Sequence, residues 1–274
     1  MKVSEENQAI GVSLFPILEK LPILSRYAKN RGWYYVISWL HRVTGIGLVI
    51  ALMVHMYISS SWQPNVYNTG MNIPARPFSV FLVWILSLFV SFHALNGGRL
   101  ILYELFGVRS DETMIRWTFG LSAAYAAMVG LLMIMKNQNV SAFFFWLMTF
   151  FAGVVTAFIV DSRAAKGRHS LFWKLQRISG SFLFITIPAY LLFSYLNPGL
   201  ADGAQTVVVR LQNAFVRVVT LALAVSALYH AGYGLFSIAA DYTSSRTLRA
   251  GVTALIFVVI AVLAVLAFRL ILSV

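Results

Sequence analysis

The stretch Tyr229-His230-Ala-Gly-Tyr-Gly234-Leu-Phe-Ser-Ile-Ala-Ala-Asp241-Tyr242 places a histidine in the middle of a long apolar segment. Gly234 follows one helical turn later, and Asp241 follows where the segment meets polar sequence. Because a helix rises about 1.5 Å per residue, His230 is expected to lie about 16 Å deeper than Asp241. That depth is about half the thickness of the hydrocarbon core of a bilayer.

The composition is that of an integral membrane protein. Of 274 residues, 59% are hydrophobic and only 11% are charged, whereas a soluble domain has about 25% charged residues. The net charge of +12 is therefore interpreted as membrane orientation and not as nucleic-acid binding. The chain has no cysteine, which excludes disulfides, a thiolate nucleophile and any cysteine-ligated iron–sulfur cluster within it.

Seven apolar segments are long enough to span a bilayer, which takes about 20 residues each. They predict an all-α integral membrane protein with seven transmembrane helices. The predicted spans are 33–60, 78–105, 115–136, 141–160, 171–196, 208–240 and 247–272. Residues 1–32 carry acids and prolines and lack a cleavage site after an apolar core. We therefore expect a cytoplasmic lead-in lying on the membrane or on a partner, and not a secretory signal.

The basic residues predict the orientation. With the N-terminus in the cytoplasm, sixteen of the 21 lysines and arginines fall on the cytoplasmic side. Cytoplasmic loops carry an excess of lysine and arginine. The expected arrangement therefore has the N-terminus inside and the C-terminus outside, in a membrane that we take to be the bacterial cytoplasmic (inner) membrane.

An internal repeat relates the two halves of the chain. The histidine, glycine and acid of the sixth segment recur in the second as His93, Gly97 and Glu104. A His-Arg-Val-Thr-Gly motif containing Arg42 opens the first segment, and a Gln-Arg-Ile-Ser-Gly motif containing Arg177 opens the fifth. The arginines are 135 residues apart and the histidines are 137 apart. These nearly equal offsets predict two repeated three-helix units.

The repeat also predicts the domain organisation. Residues 33–136 form the first three-helix unit and residues 169–274 form the second. Residues 137–168 hold a linker helix and a cytoplasmic loop. Because both units begin inside, one extra crossing must return the chain between them. That crossing has no ionisable residue from 141 to 160, and we interpret it as a topological linker facing lipid.

The histidines carry the first chemical hypothesis. His93 and His230 fall at mid-depth on different helices, each one turn before a glycine. Two opposed imidazoles make an axial pair for haem iron, and glycine lets a flat macrocycle or another helix approach closely. The pair therefore predicts one haem, with two histidines hydrogen-bonded across a helix interface as the alternative. His55 would need a ligand opposite it, but its repeat position is Tyr190, so we interpret His55 as structural.

The cytoplasmic ends of the segments carry the second hypothesis. His41, Arg42 and Arg177 lie near the starts of the first and fifth segments. Arginine and histidine at a helix start can neutralise the propionates of a haem. The alternative is that these side chains only reach from the interface to water.

These residues resemble the cytochrome b anchor subunits of succinate dehydrogenase. The stretch from Ser38 to Gly45 resembles the Ser-x-x-His-Arg-x-[ST]-Gly motif of the larger anchor subunit, and His93 with its following glycine, arginine and acid resembles that subunit's haem-ligand helix. His230 to Tyr242 and the Arg-Ile-Ser-Gly motif of Arg177 resemble the small anchor subunit. The chain thus looks like the large and small anchors fused in that order.

The resemblance implies a cytochrome b subunit of a succinate:quinone oxidoreductase, within the respiratory chain and tricarboxylic acid cycle. One haem b would have His93 and His230 as axial ligands. A quinone would bind at Ser38, Arg42, Asp241 and Tyr242. The partners would be a flavoprotein and an iron–sulfur subunit, which hold the FAD and the clusters, and the complex could assemble into a higher oligomer. No succinate chemistry would take place in this chain itself.

Three alternatives stay open at this point. A complex of the same kind that catalyses the reverse reaction is a quinol:fumarate reductase. The anchor sequence does not decide the direction of the reaction. A haem-free structural anchor would have the fold without the cofactor. A secondary transporter built of repeats predicts broken helices around a site at the midplane.

Overall fold

In this computed structural model, the described residues are 33–59, 77–108, 111–135, 141–196 and 212–272. The predicted lead-in 1–32 and the basic residues Arg76, Lys136 and Arg210 lie outside them. The chain divides into two compact units, Met1–Leu40 and His41–Val274. Only residues 33–40 of the first unit are described, and they are helical. Every contact reported below lies within the second unit.

Seven helices make up the ordered elements among the described residues. They are α1 (Trp33–Ser59), α2 (Pro77–Phe106), α3 (Asp111–Met135), α4 (Ala142–Ala164), α5 (Leu171–Leu196), α6 (Ala214–Tyr242) and α7 (Arg246–Leu272). All seven are long and apolar enough to cross a membrane. The predicted fold class is therefore confirmed, and the orientation of the termini stays a prediction.

Most helix ends agree with the predicted spans, and three differ by several residues. α3 begins at Asp111, four residues before the predicted start at 115. α4 continues to Ala164, past the predicted end at 160, because a helix end at a membrane surface tolerates polar residues that a hydropathy span excludes. α6 begins at Ala214, where the side chain of Asn213 accepts hydrogen bonds from the backbone N–H groups of Phe215 and Val216. That N-cap, and not the apolar run from 208, sets the start of the helix.

Four helices surround the candidate site, and three others pack outside them. α2, α5 and α6 pack side by side, and residues 41–59 of α1 contact α2 and α6 through side chains. α3 packs on α2, α4 packs on α5 and α2, and α7 packs on α6. We call α1, α2, α5 and α6 the four-helix core.

Small polar residues allow α2 and α3 to approach closely. Ser91 is buried and donates to the carbonyl of Ser87 within α2 at 2.8 Å and lies 3.5 Å from the carbonyl of Ser122 on α3. The indole of Trp84 donates to the carbonyl of Ala126 at 3.0 Å. Such contacts associate helices in lipid, where apolar burial gives no preference for a protein neighbour.

α5 runs through Pro188 without interruption. A proline within a helix removes the backbone hydrogen bond to the carbonyl four residues earlier, here that of Phe184. The helix nevertheless continues, and it has a further contact with α3 at the proline itself. The hydroxyl of Tyr125 on α3 donates to the carbonyl of Pro188 at 2.6 Å. The broken helix that a repeat-built transporter requires is therefore not found at this proline.

The ends of α2 and α6 hold the two acids in place. α2 ends at Phe106, and Gly107 adopts the left-handed φ of 68°, which glycine tolerates without steric cost. α6 ends at Tyr242, and the guanidinium of Arg249 donates to the carbonyl of Thr243 at 2.6 Å. Each helix stops just after its acid, so each carboxylate lies in a last helical turn.

Candidate functional site

The two mid-segment histidines meet inside the four-helix core. The ring centroids of His93 on α2 and His230 on α6 are 6.2 Å apart, and their planes are nearly perpendicular at 88°. Both side chains are partly buried. The repeat predicted that these two residues belong together, and the structure brings their rings into contact distance.

A glycine on the preceding helix lies against each histidine ring. A Cβ atom added at Gly45 of α1 would stand 2.9 Å from Cε1 of His93, and one added at Gly180 of α5 would stand 3.0 Å from Cε1 of His230. Real Cβ atoms essentially never approach a neighbour to less than 3.0 Å and rarely approach to 3.0 Å, so a side chain at either glycine would require the ring to shift. The sequence spacing predicted this close approach at Gly97 and Gly234 instead.

Gly97 and Gly234 have looser neighbours. A Cβ at Gly97 would be 3.7 Å from the ring of His41, and one at Gly234 would be 3.7 Å from the amide nitrogen of Gln176. The sequence left two explanations for these glycines, the close approach of a macrocycle or of another helix. The structure places a side chain of a facing helix beside each glycine. The close approach at Gly45 and Gly180 could have been predicted from the sequence, because each glycine is the last residue of a repeated arginine motif.

His41 lies beside His93 in an arrangement that the sequence did not predict. Their rings stack with centroids 4.0 Å apart and an interplanar angle of 5°. Nδ1 of His93 lies 3.1 Å from the carbonyl oxygen of His41 and 3.4 Å from the hydroxyl of Thr44. Because a carbonyl only accepts, the His41 contact fixes the proton on Nδ1 and leaves Nε2 of His93 with its lone pair free to bind a metal.

His230 lacks the equivalent contact. Its Nδ1 is buried without a hydrogen-bond partner among the described residues, as is Nδ1 of His41. Its carbonyl oxygen accepts a hydrogen bond from the side chain of Gln176, the repeat counterpart of His41, at 3.3 Å. The two halves thus use equivalent positions of α1 and α5 to hold the histidine helices, with different chemistry.

Two ion pairs join the halves at equivalent positions. Arg42 on α1 donates to Asp241 on α6 at 2.7 Å. Arg177 on α5 donates to both carboxylate oxygens of Glu104 on α2, at 2.7 and 2.9 Å. Each arginine of one half therefore binds the acid of the other half.

An aromatic ring accompanies each arginine. The guanidinium of Arg42 lies 5.5 Å from the ring centroid of Tyr242, and that of Arg177 lies 4.7 Å from the ring centroid of Trp173. These distances are in the range of cation–π attraction. The structure therefore brings Arg42, Asp241 and Tyr242 together as one cluster, which we call the α1–α6 cluster. The site residues proposed from sequence did not include Glu104 or Trp173.

The other predicted residues are placed as follows. Ser38 is exposed on α1 and belongs to the first compact unit, so its place in a ligand pocket stays a prediction. His55 makes an edge contact with Tyr190, its own repeat counterpart, with ring centroids 6.2 Å apart. His169 stacks on Trp173 at 3.9 Å in the segment between α4 and α5.

The described residues do not form a metal site in which three or more protein side chains bind one ion. No group of three or more His, Cys, Asp or Glu side chains among them is placed to hold a metal ion. Axial binding of a haem iron needs only two protein ligands, because the macrocycle supplies the others. The roles of His41, Arg42 and Arg177 toward haem propionates stay predictions.

The seven membrane-length helices in the described part of the chain define an all-helical integral membrane protein. The chain belongs to the succinate dehydrogenase/fumarate reductase transmembrane subunit family, whose model matches residues 21–135 and again residues 162–268. Two matches in one chain agree with two anchor subunits fused into one. The stretch between the matches contains most of α4. Comparison with curated proteins and with solved structures gives no match.

Proposed function

We propose that the chain is the membrane anchor and cytochrome b subunit of a succinate dehydrogenase complex. It would hold one haem b and form the site at which quinone accepts electrons from a partner iron–sulfur subunit. The observation that carries the proposal is the contact of His93 with His230, because one histidine comes from each of the two regions that the family model matches. In this arrangement the first half corresponds to the large anchor and the second half to the small one.

The histidine pair fits haem ligation by its spacing. Two imidazoles sharing one metal ion have ring centres about 6 Å apart, because each nitrogen–metal bond is about 2.0 Å long and each nitrogen lies about 1 Å from its ring centre. The observed separation is 6.2 Å. The hydrogen bond from Nδ1 of His93 to the carbonyl of His41 is the outer contact that orients a histidine ligand.

The basic residues around the pair suit an anionic cofactor. Haem b bound by His93 and His230 would supply a one-electron carrier, and its propionates would need cations nearby. His41, Arg42 and Arg177 are the residues that we propose for this role. Both arginines lie within the first three turns of their helices in the four-helix core. Each binds a carboxylate, which is the group that a propionate would present.

The α1–α6 cluster suits a quinone ring. Reduction of a quinone to a quinol consumes two electrons and two protons, so it needs donors at the carbonyl oxygens and access to water. In our proposal the phenol of Tyr242 donates to one carbonyl, Arg42 stabilises negative charge as it develops, and Ser38 adds a hydroxyl. Asp241 positions the guanidinium of Arg42 through their 2.7 Å contact.

The remaining machinery belongs to partners. A flavoprotein would oxidise succinate with FAD, and an iron–sulfur subunit would carry electrons to the α1–α6 cluster. Because the chain has no cysteine, the clusters cannot be bound by it in the usual way. We place the complex in the bacterial cytoplasmic membrane, with the α1–α6 cluster on the cytoplasmic side.

The haem assignment is tested by a reduced-minus-oxidised visible spectrum of the purified complex. A b-type band is expected at one haem per chain. A complex that contains flavin and iron–sulfur clusters but no b-type band would remove haem from the proposal and leave a structural anchor.

The direction is tested by enzyme assays on the same preparation. We expect succinate-driven reduction of a soluble quinone to be faster than quinol-driven reduction of fumarate, both measured with matched substrate concentrations. The opposite ratio would assign the complex as a quinol:fumarate reductase.

A further inference from the structure

The two sides of the four-helix core are equivalent in sequence but not in surroundings. On one side α1 and α6 meet at Arg42 and Asp241, and on the other α5 and α2 meet at Arg177 and Glu104. The Asp241 side chain is 54% exposed and that of Glu104 is 30% exposed. α4 packs on α5 and on α2.

α4 covers the face of α5 along much of its length. A Cβ at Gly153 would be 2.9 Å from a methyl of Thr186 and 3.0 Å from the ring of Phe182, so the helices touch closely there. The rings of Phe145 and Phe193 extend this contact, with centroids 4.9 Å apart. This close contact buries the α5 surface.

α4 also reaches α2 next to the ion pair of that side. The guanidinium of Arg163, in the last turn of α4, lies 5.1 Å from the ring centroid of Phe106. Phe106 is two residues beyond Glu104 on α2. α4 therefore contacts the end of α2 as well as the length of α5.

The equivalent face of α1 is exposed. Ile46 and Ile50 follow Arg42 at four and eight residues, so the three side chains form one stripe on the helix. Ile46 is 38% exposed, whereas its repeat counterpart on α5, Ser181, is 2% exposed. Among the described residues, α1 has no counterpart of α4 on this stripe. An apolar stripe thus leads along the membrane to the α1–α6 cluster.

We propose that α4 closes the α2–α5 side of the core to quinone, so that quinone enters only along the exposed stripe of α1 and between α1 and α6. This inference rests on the proposed function, because it assumes that quinone binds at the α1–α6 cluster. The apolar tail of the quinone would lie on Ile46 and Ile50, since that stripe is continuous with the headgroup position at Arg42. In this proposal α4 blocks quinone from one of the two equivalent sides of the repeated fold. It would therefore do more than link the two halves across the membrane.

Photolabelling of the purified complex in lipid nanodiscs tests this exclusion of quinone by α4. The probe is an azidobenzoquinone with a short isoprenoid tail, competed with excess unmodified quinone, and labelled peptides are mapped by mass spectrometry. In the natural chain, competed labelling of α1 and α6 should exceed that of α2 and α5 by about tenfold or more. Competed labelling shared equally between the two sides would overturn the inference.

The first half lacks a phenol at the repeat position of Tyr242, which is Leu105. Two variants therefore distinguish exclusion of quinone by α4 from the absence of this phenol. Leu105→Tyr supplies the phenol with α4 in place and should leave α5 unlabelled. Leu105→Tyr combined with Gly153→Leu, which wedges α4 away from Thr186, should add competed labelling on α5. Gly120→Leu combined with Leu105→Tyr is the matched control, because a Cβ at Gly120 meets nothing within 4 Å, and it should add none.

The outcomes distinguish the inference from the proposed function. Labelling of α5 in Leu105→Tyr alone would show that the phenol, and not α4, is the barrier, and would overturn the inference while sparing the quinone site. The natural chain and Leu105→Tyr decide this point even where the wedge variant does not fold. An absence of competed labelling on every helix of the natural complex would instead overturn the proposed function, and the inference with it.

Discussion

The Arg42–Asp241 and Arg177–Glu104 pairs occupy equivalent positions in the two halves, yet they are held differently. Glu104 has one more methylene than aspartate and accepts two hydrogen bonds from Arg177. Asp241 accepts one from Arg42, at a more exposed position beside Tyr242. A bidentate pair holds both side chains in a fixed geometry, whereas a single contact beside an exposed phenol suits a ligand site. Under the proposed function, one repeated backbone supports a bidentate ion pair on one side and the quinone site on the other.

Substitution of either histidine of the pair should have the same effect on haem binding in the two halves. This is the largest effect that we expect. We expect His93→Ala and His230→Ala each to abolish the b-type absorbance band, because either change removes one of two axial ligands. The measurement is haem content per chain in the purified complex.

His55→Ala is the control for the histidine variants and should retain the full band. Loss of haem in only one of the two variants would show that only one of these two histidines is required for haem binding. A band that survives in both would remove these residues from the role while leaving the haem.

The two acids are where the halves should differ most. Asp241→Asn should lower kcat/KM for quinone reduction about 100-fold, because Arg42 loses the charge that positions it at the developing negative charge. Glu104→Gln should leave quinone reduction within about twofold and lower the free energy of unfolding by about 1 kcal/mol, as expected for a partly exposed ion pair.

Steady-state assays with a soluble quinone and thermal unfolding of the detergent-solubilised complex measure the effects of these two acid variants. Equal losses of quinone reduction in both variants would contradict the division into a quinone site and a bidentate ion pair. The succinate dehydrogenase activity of the partners with an artificial acceptor should be unchanged in both, which shows that the complex is intact.

The glycines beside the histidine rings sharpen the comparison at the core. Gly45→Ala and Gly180→Ala should each lower the free energy of unfolding by about 1–3 kcal/mol, because the new methyl displaces a packed imidazole. The two losses should be similar, since the clearances are 2.9 and 3.0 Å. Both variants should also shift the midpoint potential of the haem.

Gly120→Ala is the matched control for the two glycine variants. Its Cβ has open space, and alanine in a helix is more favourable than glycine by up to about 1 kcal/mol. Stability should therefore stay equal or rise. A similar loss in all three variants would indicate a general intolerance of helix substitution and not a specific contact with histidine.

The smallest expected effect concerns the support of α5. Tyr125→Phe should cost about 1 kcal/mol in the free energy of unfolding, because the carbonyl of Pro188 loses a buried donor. Tyr229→Phe should cost less than about 0.5 kcal/mol, since its hydroxyl donates to the carbonyl of Phe172 at an exposed position where water replaces it. These contacts are at 2.6 and 2.9 Å.

Thermal unfolding of the two tyrosine variants under identical conditions provides the measurement. The repeat positions are Val262 and Phe92, which have no hydroxyl, so these supports belong to α5 alone. A larger loss for Tyr229→Phe than for Tyr125→Phe would contradict the explanation by burial.

The sequence predicted what depends on length, polarity and repetition. Segment lengths gave seven helices, and the repeat gave His93 and His230 as a pair. Equivalence, however, does not say which helices are neighbours. The repeat could therefore not predict that Arg177 binds Glu104, or that His41 stacks on His93, because both depend on how helices from different positions pack. The start of α6 at Ala214 was missed for a local reason, since an asparagine cap outweighs apolar composition.

The exchange of ion-pair partners between the halves has a consequence for biosynthesis. Arg42 and Asp241 are separated by 199 residues, so at about 5–20 residues per second Arg42 is synthesised on the order of 10–40 s before its acid. Glu104 likewise precedes Arg177, by 73 residues. The first half thus enters the membrane with both a cation and an anion awaiting helices that the ribosome has not yet made. Maturation of either half is completed only when α5 and α6 arrive, and a single reading frame ensures that they arrive in the same place.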